Sequence, residues 1–316
     1  MHEPVAKQTL LTVSDRDTPM RVLVVGATGF VGRRLVDRLV ELGHEVVAFS
    51  RSASRGTFPA GVELFEGDLK EIDSLDGLCE GIDVAYYLIH SLTGADFAGD
   101  DRTYARRFAE IASAAGVDRV VYLSGISGDG VGLSPHLASR REVETVLAEG
   151  TYDLTVLRAA VIIGSESASF RILNDLTDRL PVMLVPQWVR TPCQPIGIRD
   201  TISYLVGVLG VDETRGRTYD IGGPSVWSYE SLLQLTAREK GKRLRILAVP
   251  VMTPELSSHW LRLTTDVQYE IARALAESMR NPVTVDADRD LQAVVPITQT
   301  PIETAVREAL AELEPT

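Results

Sequence analysis

Three glycines in Gly26-Ala27-Thr28-Gly29-Phe30-Val31-Gly32 follow the apolar run Arg21-Val22-Leu23-Val24-Val25. They precede a stretch in which Val31, Leu35, Leu39 and Leu42 recur near one helical face, stopped by Gly43. A strand that turns at glycine into a helix has a chemical use. The first glycine lets the chain turn sharply, the second lets backbone approach a diphosphate, and the third lets the helix pack close to the sheet. The free N–H groups at the helix start then meet negative phosphates. Such a turn can also serve packing alone, but strand, turn, helix and second strand occur here in the order of a dinucleotide site.

The end of the second strand chooses the dinucleotide. An NAD site places a carboxylate about twenty residues past the turn, to hold the ribose hydroxyls. Here that place reads Phe49-Ser50-Arg51-Ser52, with no acid. Arg51 can pair with a 2′-phosphate, and Ser50 and Ser52 can donate hydrogen bonds. Arg33 is a second candidate for that phosphate. The pattern favours NADP(H) and leaves NAD(H) open. In Gly67-Asp68-Leu69, Asp68 can accept from an adenine amino group while Leu69 covers the ring; alternatively Asp68 closes an Asx turn on its own backbone.

These residues need elements to hold them. Strand patterns fall at Arg21–Val25, Glu45–Phe49, Val62–Phe65, Asp83–Ile89, Arg119–Leu123 and Asp153–Leu157. A helical pattern runs from Phe97 to about Ala115, and Ser134-Pro135 reads as the cap and first position of another helix. Regular alternation of strand and helix predicts an α/β fold: a Rossmann-type, doubly wound parallel sheet with helices on both faces. After Ala160 the alternation loosens, and prolines at 181, 186, 192 and 195 mark loops, with helices expected over 171–181 and 226–240. The reading is a flexible leader over 1–19, a dinucleotide-binding domain over 20–165, and a small C-terminal α+β substrate lobe over 166–316, some segments of which return to the sheet. Met20 is an alternative start to Met1.

Composition narrows the partners. A formal charge of -12 makes nucleic acid a poor partner. No apolar run reaches the ~18 residues of a membrane span, and the first nineteen residues lack the pattern of a secretory signal. Cys79 and Cys193 stand far apart without metal spacing, as expected of reduced thiols in the cytoplasm. The scattered histidines show no metal-ligand pattern. His90-Ser91 is no nucleophile pair, because adjacent strand residues point to opposite faces and no supporting carboxylate is evident. Ser257-Ser258-His259-Trp260 could line a substrate pocket or be a loop with a packing tryptophan.

Val24-Val25-Gly26-Ala27-Thr28-Gly29-Phe30-Val31-Gly32, Gly67-Asp68-Leu69 and Tyr122-Leu123-Ser124-Gly125 resemble the atypical, extended short-chain dehydrogenase/reductase superfamily. The closer likeness is to its NmrA-like, complex-I-subunit-like NAD(P)-binding branch. Asp83 to Ser91, Arg158 to Gly164, Gln194-Pro195-Ile196 and Tyr219 to Pro224 extend the resemblance over roughly residues 20–310. It implies that Leu88, Ile89 and His90 lie beside the cofactor and that Ser124 lies close to the nicotinamide. It also exposes a departure. Ordinary members carry Tyr-x-x-x-Lys after that serine, the tyrosine as general acid and the lysine as its support. The matching register here is His136-Leu137-Ala138-Ser139-Arg140. The spacing keeps both side chains on one helix face. His136 can do acid–base work or line the pocket structurally. Arg140 can hold ribose or phosphate, or pair with the nearby Glu142 or Glu144.

The expectation is an NADP(H)-binding atypical short-chain dehydrogenase/reductase. As an oxidoreductase it would act on an unidentified small or hydrophobic substrate, with Ser124, His136 and Arg140 as catalytic candidates. The alternative is a non-catalytic NAD(P)H-binding sensor, or a structural subunit with a partner protein.

Overall fold

Val22 and Val24 pack into one hydrophobic core and Leu23 and Val25 into another, all four fully buried. That is why strand β1 (Arg21–Val25) is continuously apolar rather than alternating: both faces of its sheet are covered. The computed structural model describes residues 19–52, 58–89, 97–127, 133–249 and 281–313. The central sheet is completed by β2 (Glu45–Ser50), β3 (Glu63–Glu66), β4 (Val84–Tyr87), β5 (Arg119–Gly125) and β6 (Asp153–Ala159). Small pairings outside it use β7 (Ile162–Ile163), β8 (Val182–Pro186), β9 (Pro192–Cys193) and β10 (Ile196–Gly197). The chain then returns to the main sheet as β11 (Thr218–Ile221), before β12 (Trp227–Ser228) and β13 (Arg245–Val249).

The seven strands run parallel in the order β11-β6-β5-β4-β1-β2-β3. From β1 the chain winds outward through β2 to β3, then crosses to β4 on the other flank of β1. The winding direction therefore reverses between β1 and β4, and a crevice opens beyond the strand ends there, where sheets of this kind bind ligands.

Helix α1 (Phe30–Glu41) buries Leu35, Val36 and Leu39 on one face of the sheet. It ends where Gly43 takes φ +81° and its N–H returns to Val40 O. The other face is covered by α2 (Phe97–Ala114) and α3 (Pro135–Leu147), through Phe108, Val143 and Leu147 among others. Ser134 caps α3 as its sequence predicts, accepting from Leu137 N, with Pro135 at the first position.

The remaining helices are α4 (Ala168–Arg179), α5 (Ile198–Gly207), α6 (Tyr229–Glu239) and α7 (Ile302–Ala311). Helix α5 joins α1 on its face, whereas α4, α6 and α7 share a separate core containing Phe170, Leu232 and Val306. Met183 and Val185 of the apolar run before Pro186 belong to that core. The fourth strand stops two residues earlier than its apolar run, so Leu88 and Ile89 lie past its end, Leu88 lining the cavity and Ile89 packing against the core under α2 and α3. His90, Ser91, Ser257 to Trp260 and the first eighteen residues lie outside the described residues. Among the described residues no helix is long and apolar enough to cross a membrane, and no cluster of His, Cys, Asp and Glu could hold a metal ion.

Candidate functional site

The turn between β1 and α1 is built from backbone. Gly26 has φ +96°, and its N–Cα–C unit lies so near the next strand that a Cβ would stand 3.2 Å from the carbonyl carbon of Leu88. A Cβ on Gly32 would be 2.1 Å from the carbonyl oxygen of Gly26. That oxygen already accepts from Gly29 N at 3.0 Å. Gly29 is the residue before the helix, no side chain caps its first turn, and no acid lies there. The first-turn N–H groups and the positive end of the helix dipole are left for an anion. Gly26, Gly29, Phe30, Val31 and Gly32 all line one cavity of about 400 Å³. Thr28 is half-buried within the turn.

On the β2–β3 side the residues divide. Arg51 is exposed at the end of β2. Ser50 is buried; its hydroxyl donates to Ser52 O at 3.0 Å and accepts from Ser52 N at 3.3 Å. Its proton thus closes a local turn and is not left for a phosphate. Asp68 forms the Asx turn that was the alternative reading, accepting from Lys70 N at 2.9 Å. Leu69, only 3% exposed, packs in the core and has little surface to offer a ring. Arg33 is taken by another partner: its guanidinium pairs with Glu166, which lines the same cavity.

The other end of the cavity lies over β4, β5 and β6. Leu88, Ser124, His136 and Arg140 line it together with Ile126, Leu137, Val161, Ile172 and Tyr229. Ser124 is 2% exposed and donates to Glu144 Oε1 at 2.7 Å. Glu144, one turn beyond Arg140 on α3, is held by Arg158 of β6, whose Nε and terminal nitrogen lie at 3.1 and 2.6 Å from its two oxygens. Both charged side chains are about nine-tenths buried. Neither acid near Arg140 in sequence pairs with it, because Glu142 takes Arg102 at 2.7 Å and Glu144 takes Arg158. Arg140 instead lies over the Tyr122 ring, 5.8 Å from its centroid, with a nitrogen 3.4 Å from the phenol oxygen. Its Nε is buried with no hydrogen-bond partner among the described residues.

Burial, and then the Arg140 charge one turn away, push the His136 pKa down to about 4. The imidazole is therefore neutral at pH 7, and its use as a proton donor at neutral pH in the imidazolium form is removed. The resulting arrangement has an uncapped helix start at one end, a cation and a neutral imidazole at the other, and apolar walls between. Sequence reasoning missed Glu144 and Arg158 as a pair. Its one signal was an arginine inside the otherwise apolar strand Leu154-Thr155-Val156-Leu157-Arg158-Ala159. It also missed the first turn of α4, where Ser167, Ala168 and Ser169 line the cavity.

Comparison with known proteins agrees with this geometry. Residues 26–179 match the family model described as NAD(P)H-binding. A photosystem II assembly factor of Synechocystis is 26% identical over 241 residues, covering 73% of this chain and 71% of its own. The 40 kDa subunit of mitochondrial NADH-ubiquinone oxidoreductase from Neurospora crassa is 27% identical over 240 residues, covering 72% of this chain and 62% of its own. In three dimensions, the triphenylmethane reductase of a Citrobacter species complexed with NADP(H) superposes with a TM-score of 0.74 at 19% identity, over 91% of this chain and 99% of that one.

Proposed function

We propose that the chain is an NADP(H)-dependent oxidoreductase of the atypical branch of the short-chain dehydrogenase/reductase superfamily, working without the usual Tyr-x-x-x-Lys pair; the match of residues 26–179 to the NAD(P)H-binding family model and the likeness to the two relatives above support this reading. The observation that carries this reading is the single cavity joining the uncapped start of α1 to Arg140 and to an apolar wall. The first-turn N–H groups of α1 hold the diphosphate, and Arg51, at a strand end lacking an acid, holds the 2′-phosphate. When bound, the nicotinamide supplies or accepts the hydride. Arg140 sets its charge beside the substrate oxygen, where negative charge develops, and needs no proton transfer to do so. Ile126, Leu137, Ile172 and their neighbours exclude water and accept a hydrophobic substrate. His136 contributes a neutral imidazole, and a proton required at pH 7 comes from water. Cys79 and Cys193 are both buried and unbridged, in keeping with a cytoplasmic setting.

The test is acceptor-dependent oxidation of NADPH on quinones, enones and aldehydes, together with nucleotide titrations. We expect micromolar NADPH binding with a preference over NADH, and turnover that falls on Arg140→Met. No measurable affinity for either nucleotide overturns the proposal. One observation favours a second reading, a protein that holds NADP(H) without turnover: the Ser124 proton is already given to Glu144 and His136 is neutral, so no acid is poised for catalysis. The photosystem II assembly factor and the NADH-ubiquinone oxidoreductase subunit support a role in an assembly with a partner protein. NADPH retained unoxidised through purification, with no turnover on any of the acceptors, selects this second reading.

A further inference from the structure

We propose that Glu144, anchored by Arg158, fixes Ser124 as a hydrogen-bond acceptor, so that Ser124 receives a hydrogen bond from the nicotinamide carboxamide rather than giving one to the substrate. This rests on the nucleotide-binding reading above and adds a positioning residue that neither the family resemblance nor the sequence register points to.

A serine hydroxyl has one proton and two lone pairs. Glu144 receives two hydrogen bonds from the Arg158 guanidinium, and a carboxylate so paired can only accept. The 2.7 Å contact from Ser124 to Glu144 therefore commits the only serine proton. Whatever else Ser124 meets, the Tyr122 hydroxyl that also hydrogen-bonds it included, has to bring its own hydrogen. The fold locks this direction. Ser124 and Arg158 are register partners on neighbouring strands, so they share a sheet face, and Glu144 descends onto that face from α3. Arg158 is in turn the register partner of Asp220 on β11, a second buried acid. Moving Glu144 away from Ser124 would leave a guanidinium without its counter-ion in a buried site.

The donor follows from the strand order. The diphosphate lies at the start of α1, above β1. The adenosine half extends toward β2 and β3, so the nicotinamide half extends toward β4, β5 and β6, where Ser124 lines the cavity. The carboxamide N–H₂ is the donor carried by the nicotinamide ring itself. Substrate oxygen is then left to Arg140, whose Nε is still without a partner among the described residues.

The experiment compares binding of NADP⁺ with that of its 3-acetylpyridine analogue, in which a methyl group replaces the amide nitrogen, by calorimetry on the full chain. The wild type should prefer NADP⁺ by about ten-fold, the worth of one hydrogen bond in a dry site. In Ser124→Ala the preference should shrink to about two-fold or less, with affinity for the analogue unchanged. Glu144→Gln should also shrink it although the hydroxyl remains, because Ser124 is freed to turn; a merely structural role would lower both affinities equally and leave their ratio untouched. Should Glu144→Gln fail to fold, Ser124→Ala still decides, since it keeps the Glu144–Arg158 pair. A ratio that stays near ten in Ser124→Ala, or is near one in the wild type, overturns this inference and leaves the nucleotide-binding reading standing. A wild type that binds neither nucleotide overturns both.

Discussion

The two ends of the cavity are made of different material. At the start of α1 the wall is peptide: Gly26, Gly29 and Gly32 line it, and close packing forbids a Cβ at the third glycine. At the β5–α3 corner the wall is side chain: Ser124, Glu144 and Arg158 come from a strand, a helix and a second strand, and each is defined by the other two. The first kind of site is local in sequence and tolerates changes in neighbouring side chains. The second depends on long-range placement, and removing Glu144 or Arg158 strands the other's charge. The difference teaches where each end is vulnerable, and each of the following substitutions can break that distinction.

The largest effect is expected at the side-chain end. Arg158→Met alone should cost about 3–5 kcal/mol of stability by leaving Glu144 buried and unpaired, whereas adding Glu144→Leu should recover most of the loss. Urea denaturation of both variants measures this, and equal costs for the single and double variants would show that the pair is not a unit.

Next comes pH. His136 has its pKa lowered from 6.5 to about 4, so the unfolded chain binds this proton more readily than the folded one. Stability is complete above pH 6.5 and falls as pH drops from there toward 4, by up to about 3 kcal/mol. His136→Gln should flatten that part of the stability curve followed by thermal melting; a curve of unchanged slope would mean the imidazole is not held neutral.

At the backbone end, Gly32→Ala should weaken NADPH binding by about thirty-fold, roughly 2 kcal/mol, since its Cβ meets carbonyl oxygen rather than a movable side chain. Thr28→Ala, in the same turn, should change affinity less than three-fold, about 0.6 kcal/mol. If the two variants weaken binding alike in fluorescence titrations, the turn is not a backbone device. A smaller loss than at Gly32 belongs to the exposed Arg51: Arg51→Ala should lower NADPH affinity about ten-fold, near 1.4 kcal/mol, and leave NADH unchanged. Equal losses for both nucleotides would remove the 2′-phosphate contact.

The fold was largely legible because its signals are short-range. The run Val22 to Val25 reads as a strand covered on both faces, Gly43 marks a helix end, and Ser134-Pro135 marks a helix start, and each does so in the structure. The site was legible only in part. Ser50 was read as a donor to phosphate, but its proton goes to the carbonyl of Ser52. Arg33 was a candidate for the 2′ position, but an acid 133 residues away captures it. Glu144 was read against Arg140, its neighbour by helical spacing, while its partner is Arg158 on β6.

By itself the amino-acid order determined the alternation of strand and helix, the glycine turn between β1 and α1, and the missing tyrosine–lysine pair, because periodicity, glycine stereochemistry and residue identity need nothing distant to act. Tertiary structure alone decided which charges pair, that His136 is neutral, and that Ser124 gives its proton to Glu144. Electrostatics and hydrogen bonding depend on separation in space and on burial, and both are set only when β5, β6 and α3 come together.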